Sequence, residues 1–298
     1  MATVGEWVEG ARLRTLPLSV SPVIAGSAVA LAAGAFHPVR ALLALVVGLA
    51  MQLGVNYSND YSDGVRGTDA HRVGPQRLVG SGAATPRAVK TAAFICFGVG
   101  CLAGLALVIM SGLWWIVAVG AAIVVAAWFY TGGKHPYGYI GLGEVSVFIF
   151  FGLVACGATV LVQTGFGPAW HWGAVLAAST AQGAGACAVL VVNNLRDIAT
   201  DAAVGKKTLS VRLGDAHSRV LFIALVAISV AANVMTAWLT NWWGLICLVM
   251  LAWAAPAVVL VARHVTGMGL VRSLKFVGLA QLAGAIGLII GIWLGHQV

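Results

Sequence analysis

The sequence predicts an all-α, polytopic membrane protein with nine transmembrane helices. Of its 298 residues, 60% are hydrophobic and only 9% are charged, which is far from the balance of a soluble globular chain. Uncharged runs of about 20 residues recur along the whole length, and a helix of that size spans the hydrocarbon core of a bilayer. No Ser/Pro-rich linker divides the chain, so we expect a single integral-membrane domain over residues 1–298.

The candidate spans are nine apolar segments. They lie at about residues 16–35, 40–58, 88–110, 113–131, 144–164, 172–193, 219–240, 243–262 and 276–296. The first one follows Arg12 and Arg14, as the apolar part of a signal peptide follows its basic part. Eight further spans come after it, and this favours a retained first helix.

The basic residues fall almost entirely on one side of these spans. With nine spans, the N-terminus shares a side with the loops after spans two, four, six and eight, and every Lys and Arg except Arg40 lies there. The positive-inside rule places this side in the cytoplasm and the C-terminus outside. The net charge of +8 follows mostly from this bias, so it does not indicate a nucleic-acid partner. Part of it can serve anionic lipid or an anionic substrate.

Most acidic residues are concentrated in two segments on the predicted cytoplasmic side. The first is NYSNDYSDGVRGTD (residues 56–69), after span two, and the second is NNLRDIATDAAVGKKTLSVRLG (residues 193–214), after span six. Both begin with asparagine, continue with aspartates at helical spacing, and then reach a glycine and a basic residue. This likeness suggests an internal repeat, which is common in membrane folds, and it points to a paired site.

The asparagines and aspartates of each segment fall on one helix face. Two triplets have this spacing: Asn56, Asp60 and Asp63, and Asn193, Asp197 and Asp201. Solvated helix ends are the ordinary interpretation of acidic residues beside loops. However, carboxylates three or four residues apart repel one another, and Asn56 and Asn193 lie where the apolar pattern has not yet ended.

A divalent cation and a diphosphate would account for both the acidic and the basic residues. Oxygen ligands suit Mg²⁺, which usually bridges protein carboxylates to substrate phosphates. The basic residues available for the phosphates are Arg66, Arg72, Arg77, Arg196, Lys206, Lys207 and Arg212. A diphosphate at the mouth of an apolar bundle suggests a lipid-tailed substrate such as a prenyl diphosphate, whose departing diphosphate the metal and the cations would stabilise.

The two acidic segments resemble the motifs of the UbiA superfamily of intramembrane prenyltransferases. The resemblance covers nearly the whole chain and includes RLRTLPLSVSPVIAG near the start, RVGPQRLVGSG, and YTGGKHPYGYIGLGE from Tyr130 to Glu144. The last stretch, together with GKKTLSVRLG, is similar to the branch that prenylates 1,4-dihydroxy-2-naphthoate in menaquinone biosynthesis.

This resemblance implies nine helices around a central cavity, with a cytoplasmic cap formed by the loops after helices 2 and 6. It implies Mg²⁺ as the cofactor, and the catalytic, metal-binding residues that it implies are Asp60, Asp63, Asp197 and Asp201. In the superfamily the first motif often has a four-residue step between its aspartates, whereas the step here is three, so Asp69 is an alternative outer ligand. The residues expected to bind the diphosphate are Asn56, Asn193, Arg66, Arg77, Arg196 and Lys206.

The reaction that the resemblance implies is transfer of a polyprenyl group to dihydroxynaphthoate at a bacterial plasma membrane. Diphosphate and CO₂ are released and demethylmenaquinone is formed. The acceptor carries a carboxylate and ring hydroxyls, so the residues expected to contact it are Tyr130, Lys134, Tyr139 and Glu144. A snorkelling Lys134 and a Glu144 that merely begins a helix are equally consistent with the sequence. Loss of CO₂ restores the aromatic ring, so no dedicated base is required.

Two other functions remain open from the sequence. A sister prenyltransferase acting on 4-hydroxybenzoate, homogentisate, haem or a ribose phosphate would keep both acidic segments and differ around residues 130–144. A cation-coupled transporter would also place Asn and Asp in its spans, but transporter sites lie near the bilayer midplane. Here every acidic residue lies at the end of a span on one side, which argues against a transporter.

The metal hypothesis predicts that Asp60→Ala and Asp197→Ala each abolish turnover while the protein stays folded and inserted in the membrane. Turnover would be followed as diphosphate release, and folding by gel filtration and circular dichroism in detergent. Full activity of either variant would contradict the hypothesis.

Overall fold

Eleven α-helices form most of the residues that the computed structural model describes, which are 2–67, 77–167 and 171–298. They are α1 Val4–Gly10, α2 Pro17–Ala32, α3 Pro38–Arg66, α4 Pro86–Ser111, α5 Ile116–Phe129, α6 Gly143–Val147, α7 Ala155–Thr164, α8 Trp172–Ala203, α9 Leu209–Thr240, α10 Leu251–Ala262 and α11 Met268–Gly295. Short 3-10 helices at Leu13–Thr15, Tyr137–Ile140 and Trp242–Met250 and a π-helical stretch at Phe148–Val154 lie between them. Within these described ranges there is no β-strand, which confirms the all-α prediction.

Each of the nine predicted apolar segments coincides with a helical region. By length and composition, seven helices in the described part of the chain can cross a membrane: Pro38–Arg66, Pro86–Ser111, Gly143–Thr164, Trp172–Ala203, Leu209–Thr240, Trp242–Ala262 and Met268–Gly295. An eighth is added if Val4–Thr15 and Pro17–Ala32, which are bent by 47°, count as one span. α5 has only 14 residues, fewer than the roughly 20 that a straight crossing needs. The chain is therefore a multi-pass membrane protein, and the count of nine spans stays a prediction.

The two acidic segments prolong helices instead of forming loops. The predicted spans two and six end at about residues 58 and 193, but α3 continues to Arg66 and α8 to Ala203. The polar residues mark the end of the apolar run, but they keep the spacing of a helix and their side chains share one helix face. The helix therefore continues beyond the apolar run. α3 stops at Gly67, whose φ of 74° gives the left-handed conformation typical of the residue after a helix. Each acidic triplet therefore lies on a regular helix.

α8 is the central helix of the bundle. In its apolar window 78% of the residues are buried, compared with 22% in α3. Its inner positions are mostly Ala, Gly and Val, and small residues let neighbouring helices approach closely in lipid. The largest buried cluster joins α8 to α9, α10 and α11 through residues such as Val191, Phe222, Ala257 and Leu274. This packing fixes the position of the second acidic triplet relative to the rest of the bundle.

Glycines in α11 allow a close approach to the 3-10 helix Trp242–Met250. A Cβ atom at Gly287 would lie 2.6 Å from the carbonyl oxygen of Ile246. Gly291 faces the carbonyl of Trp243 in the same way, one turn further along. The spacing of four residues between Gly287 and Gly291 thus allows the last helix to pack closely against its neighbour.

We expect Gly287→Ala to lower the free energy of unfolding by about 1–3 kcal/mol, because the added methyl group overpacks the contact with Ile246. Thermal unfolding of the purified protein in detergent would measure the loss as a lower Tm. Gly98→Ala in α4 is the matched control, since a Cβ atom there meets no atom within 4 Å. An equal Tm for both variants would contradict the packing role.

Candidate active site

A cavity of about 580 Å³ extends into the bundle from the helix ends that carry the acidic triplets. Ala44 and Asn59, both on α3, line it, and 15 residues of helix correspond to about 22 Å. Its deep walls are apolar and include Val23, Leu107 and Val162. The cavity is therefore long, with an apolar interior suited to a hydrocarbon chain.

All four charged residues of the cavity wall lie near the acidic triplets. The residues at this end include Arg12, Arg14, Asn56, Asn59, Arg77, Tyr130, Asn193 and Arg196, and the other polar residues of the wall are Thr15, Ser19, Gln52, Tyr137, Ser146 and Thr159. The first group contains four cations and three amides, so this end of the cavity suits an anionic group. The arrangement fits an elongated molecule with an anionic head and an apolar tail.

The first triplet ties the N-terminal segment and the segment after residue 76 to α3. Asn56 Nδ2 donates hydrogen bonds to the carbonyl oxygen of Ala11 at 2.9 Å and to Oγ1 of Thr15 at 3.2 Å. Asp60 is fully buried, and its two oxygens accept from the backbone N–H groups of Leu78 at 2.8 Å and Val79 at 2.9 Å. Asp60 therefore fixes the backbone beside Arg77.

Asp63 is the point where the two acidic segments meet. Its carboxylate lies 3.4 Å from Lys206 Nζ, which belongs to the second segment, and 3.7 Å from Arg77 Nη2. The hydroxyl of Tyr139 also donates to it. Arg66 and Lys206 both lie over the Tyr139 ring, at 5.4 and 4.5 Å from its centroid. Side chains from three separate parts of the chain thus converge on this carboxylate.

The second triplet carries a buried ion pair between neighbours in sequence. Arg196 Nε and Nη2 donate to the two oxygens of Asp197 at 2.7 and 2.6 Å. Arg196 Nη2 also donates to Oδ1 of Asn193 at 3.0 Å. Asn193 and Arg196 line the cavity, whereas Asp201 is partly exposed one turn further along α8. The pair therefore holds a guanidinium at the cavity wall.

Four of the six predicted diphosphate-binding residues line the cavity, namely Asn56, Arg77, Asn193 and Arg196. Arg66 instead donates to the carbonyl oxygens of Thr131 and Gly133, and Lys206 stands against Asp63 and Tyr139. These two residues hold the connection after α5 in place. Asp69 and Arg72 lie outside the described residues.

Of the four predicted acceptor-binding residues, Tyr130 lines the cavity. Its ring packs edge-on against Tyr137, with centroids 5.4 Å apart. Tyr137 also lines the cavity; its hydroxyl donates to the carbonyl oxygen of Ala126 at 2.8 Å, and burial raises the pKa of this phenol. Glu144 is buried behind the wall, where it accepts from Asn194 Nδ2 at 3.1 Å.

Lys134 and Tyr139 do not contribute to the cavity wall. Lys134 is exposed, while Tyr139 contacts Asp63 and the two cations over its ring. Sequence reasoning placed Lys134 near the acceptor because it follows span four on the appropriate side. In the structure this residue is exposed and does not line the cavity.

Arg12 and Arg14 are cavity residues that the sequence analysis used only for membrane orientation. The available signal was their place immediately before the first span, on the side of the acidic segments. From the sequence alone, this position cannot be distinguished from that of ordinary basic residues at a membrane surface. Asn59, which accepts from Thr131 Oγ1 at 2.6 Å, was missed for a similar reason, because it lies off the face of the triplet.

A metal ion would have to be shared with a substrate at this site. Within the described residues, no three His, Cys, Asp or Glu side chains are grouped closely enough to hold one. Asp60, Asp63 and Asp197 instead accept from N–H groups or cations. Mg²⁺ in phosphate chemistry is typically held by one or two carboxylates plus phosphate oxygens and waters. Asp63 and Asp197, with the amide oxygens of the triplets, fit such a shared site.

Residues 19–276 match the UbiA prenyltransferase family. The chain is 48% identical over 290 residues to the 1,4-dihydroxy-2-naphthoate octaprenyltransferase of Mycobacterium tuberculosis (strain ATCC 25618 / H37Rv), covering 96% of each chain. It is 39% identical over 271 residues to the protein of the same name from Escherichia coli (strain K12), covering 87% of this chain and 84% of that one.

Solved structures with the same fold include a UbiA homolog from Archaeoglobus fulgidus bound to GPP and Mg²⁺. The TM-score is 0.67 at 12% identity, over 96% of this chain and 99% of that one. A UbiA homolog from Aeropyrum pernix K1 gives a TM-score of 0.66 at 18% identity, over 93% and 97% of the two chains. At these identities the likeness concerns the fold.

We expect Asp60→Ala to speed amide exchange at Leu78 and Val79 by roughly tenfold, because each buried N–H loses its acceptor. Hydrogen–deuterium exchange with mass spectrometry would measure this on the purified protein. Asp63→Ala is the matched control, since the described partners of Asp63 are side chains. Unchanged exchange at both amides in the Asp60 variant would contradict the anchoring role.

Proposed function

The chain belongs to the UbiA prenyltransferase family, and we propose that it transfers a polyprenyl group from a polyprenyl diphosphate to 1,4-dihydroxy-2-naphthoate. The products are diphosphate, CO₂ and demethylmenaquinone. The observation that carries this proposal is the similarity, over almost the full chain, to relatives that bear this activity in their names. The cavity supports it independently, since it offers one cationic end and one long apolar interior.

The donor substrate enters this scheme head first. Its diphosphate lies at the cationic end among Arg77, Arg196, Asn56 and Asn193, and its tail follows the apolar walls. Arg77 and Arg196 are held beside Asp63 and Asp197 before the substrate binds. When the substrate binds, the guanidinium groups of Arg77 and Arg196 leave their carboxylates and bind phosphate oxygens, which they contact with two parallel hydrogen bonds. The exchange keeps buried charge compensated at each stage.

The carboxylates that Arg77 and Arg196 leave are the ones best placed to bind the metal. Asp63 and Asp197 would hold Mg²⁺, with Asp60 and Asp201 of the same triplets as further candidates. Asp60 already accepts two backbone N–H bonds, but a carboxylate has about four acceptor positions. When bound, Mg²⁺ neutralises the charge that develops on the departing diphosphate.

The chemical step is an exchange of bonds at two carbon atoms. The bond between the first prenyl carbon and the diphosphate oxygen breaks, and that carbon bonds to the ring carbon that carries the acceptor carboxylate. The bond from the ring to the carboxylate then breaks, its electron pair restores the aromatic ring, and CO₂ leaves. No protein base is required. Tyr130 and Tyr137 provide phenol groups and aromatic faces to orient the ring.

The proposal includes the membrane arrangement. The single domain of residues 1–298 spans a bacterial plasma membrane nine times, with the N-terminus and the cavity mouth in the cytoplasm and the C-terminus outside. The ion pair between Asp63 and Lys206 joins the two helix ends that form the cap. Soluble dihydroxynaphthoate then reaches the mouth from the cytoplasm, while the polyprenyl donor comes from the lipid.

We expect purified protein with dihydroxynaphthoate and a polyprenyl diphosphate to release CO₂ and diphosphate in equal amounts, and only with Mg²⁺ present. Asp197→Asn should lower kcat by about 100-fold or more, because the neutral amide would hold Mg²⁺ much more weakly and the leaving diphosphate would lose that charge compensation. Arg87→Gln, an exposed substitution at the start of α4, is the matched control and should keep full activity.

Different failures have different meanings. Diphosphate release with 4-hydroxybenzoate or homogentisate, but not with dihydroxynaphthoate, would keep the family and reject the acceptor. No diphosphate release with any acceptor, from protein shown to be folded, would reject prenyl transfer and favour the transporter alternative.

A further inference from the structure

Arg12 occupies an unusual turn at the edge of the cavity. Its φ and ψ are 54° and 57°, the left-handed region that residues other than glycine rarely adopt. The turn is held by its neighbours, because the Arg12 carbonyl oxygen accepts from Thr15 N at 2.8 Å and from Thr15 Oγ1 at 2.9 Å. Asn56 bonds both flanks, at Ala11 and Thr15. A strained residue held on several sides is a feature of functional sites.

Among the described residues, the Arg12 guanidinium has no carboxylate partner of the kind that Arg77 and Arg196 have. Arg77 and Arg196 pair with Asp63 and Asp197, respectively. Arg12 Nη2 is buried and makes no hydrogen bond within the described residues. A buried N–H group without an acceptor costs free energy, and this cost is larger for a charged group. An anionic oxygen from a bound substrate would remove it.

We propose that Arg12 binds the carboxylate of the aromatic acceptor, an inference that rests on the proposed prenyl transfer. The two substrates bring two anionic groups to one cavity. The paired arginines stand beside the aspartates that would share the diphosphate with Mg²⁺, which leaves Arg12 and Arg14. Arg14 is exposed, whereas Nη2 of Arg12 is buried at the cavity wall, so we assign the carboxylate to Arg12. The planar guanidinium matches a carboxylate through two parallel hydrogen bonds. Lys134, the cation that sequence reasoning assigned to this carboxylate, is exposed outside the cavity.

This contact acts on binding more than on the chemical step. The carboxylate leaves as neutral CO₂, so the attraction to Arg12 disappears during the reaction. An interaction that is strongest before the reaction lowers KM without raising kcat. Arg12 is therefore a binding residue that selects acceptors with a carboxylate beside the reacting carbon. Loss of CO₂ also weakens the hold on the product.

Equilibrium binding of two stable probes tests the proposal without turnover. 1-Hydroxy-2-naphthoate carries the carboxylate and a neighbouring hydroxyl, and 1-naphthol lacks the carboxylate. We expect Arg12→Gln to weaken binding of 1-hydroxy-2-naphthoate by about 10- to 100-fold and to leave 1-naphthol unchanged, because a charged hydrogen bond is lost. Arg12→Lys should fall in between, and Arg87→Gln should bind both probes as the wild type does.

Equal weakening of both probes by Arg12→Gln would show a merely structural role and overturn the proposal. A selective loss for a polyprenyl diphosphate, or a carboxylate-selective loss in Arg14→Gln instead, would overturn it as well. If the wild-type protein binds 1-hydroxy-2-naphthoate but transfers no prenyl group, the proposed function is rejected. A selective loss of carboxylate binding in Arg12→Gln would still support the role of Arg12. Thermal unfolding of each variant checks that it is folded. If Arg12→Gln does not fold, the comparison of the two probes is made with Arg12→Lys.

Discussion

Neutralisation of buried carboxylates at one end of an apolar bundle is the constraint on which the site depends. An ionised carboxylate taken out of water is costly unless it is paired or hydrogen-bonded. Asp60 accepts hydrogen bonds from two backbone N–H groups. Asp63 is paired with Lys206 and Arg77 and accepts from the Tyr139 hydroxyl. Asp197 is paired with Arg196. These partners come from several separate parts of the sequence. Satisfying the acids therefore holds these parts of the chain together beside the polar end of the cavity.

The same pairings prepare the site for an anionic substrate. Arg77 and Arg196 are already held at the cavity wall by the carboxylates, so little side-chain freedom is lost when a diphosphate binds. In the proposed function these cations would contact the phosphate, and Asp63 and Asp197 would then be available to hold a divalent ion. Such a site would bind metal and diphosphate together better than either alone.

The sequence was informative where a local pattern carries the physics. Every predicted apolar run coincides with a helical region, and the spacing of three and four residues placed Asn56, Asp60 and Asp63 on one face. It failed where partners are distant in sequence. Asn56 bonds to Ala11 across 45 residues and Lys206 reaches Asp63 across 143, and no periodicity records such contacts. Span ends were wrong at α3 and α8, because polarity marks the limit of the apolar run and not the limit of the helix.

The most direct measurement is a structure of the protein with Mg²⁺ and a non-reactive polyprenyl thiodiphosphate. Arg196 Nη2 lies 2.6 Å from Asp197 Oδ2 in the structure. Our account predicts that this pair opens, with the guanidinium on phosphate oxygens and the Asp197 carboxylate on the metal. An intact Arg196–Asp197 pair, with the diphosphate bound elsewhere in the cavity, would contradict it.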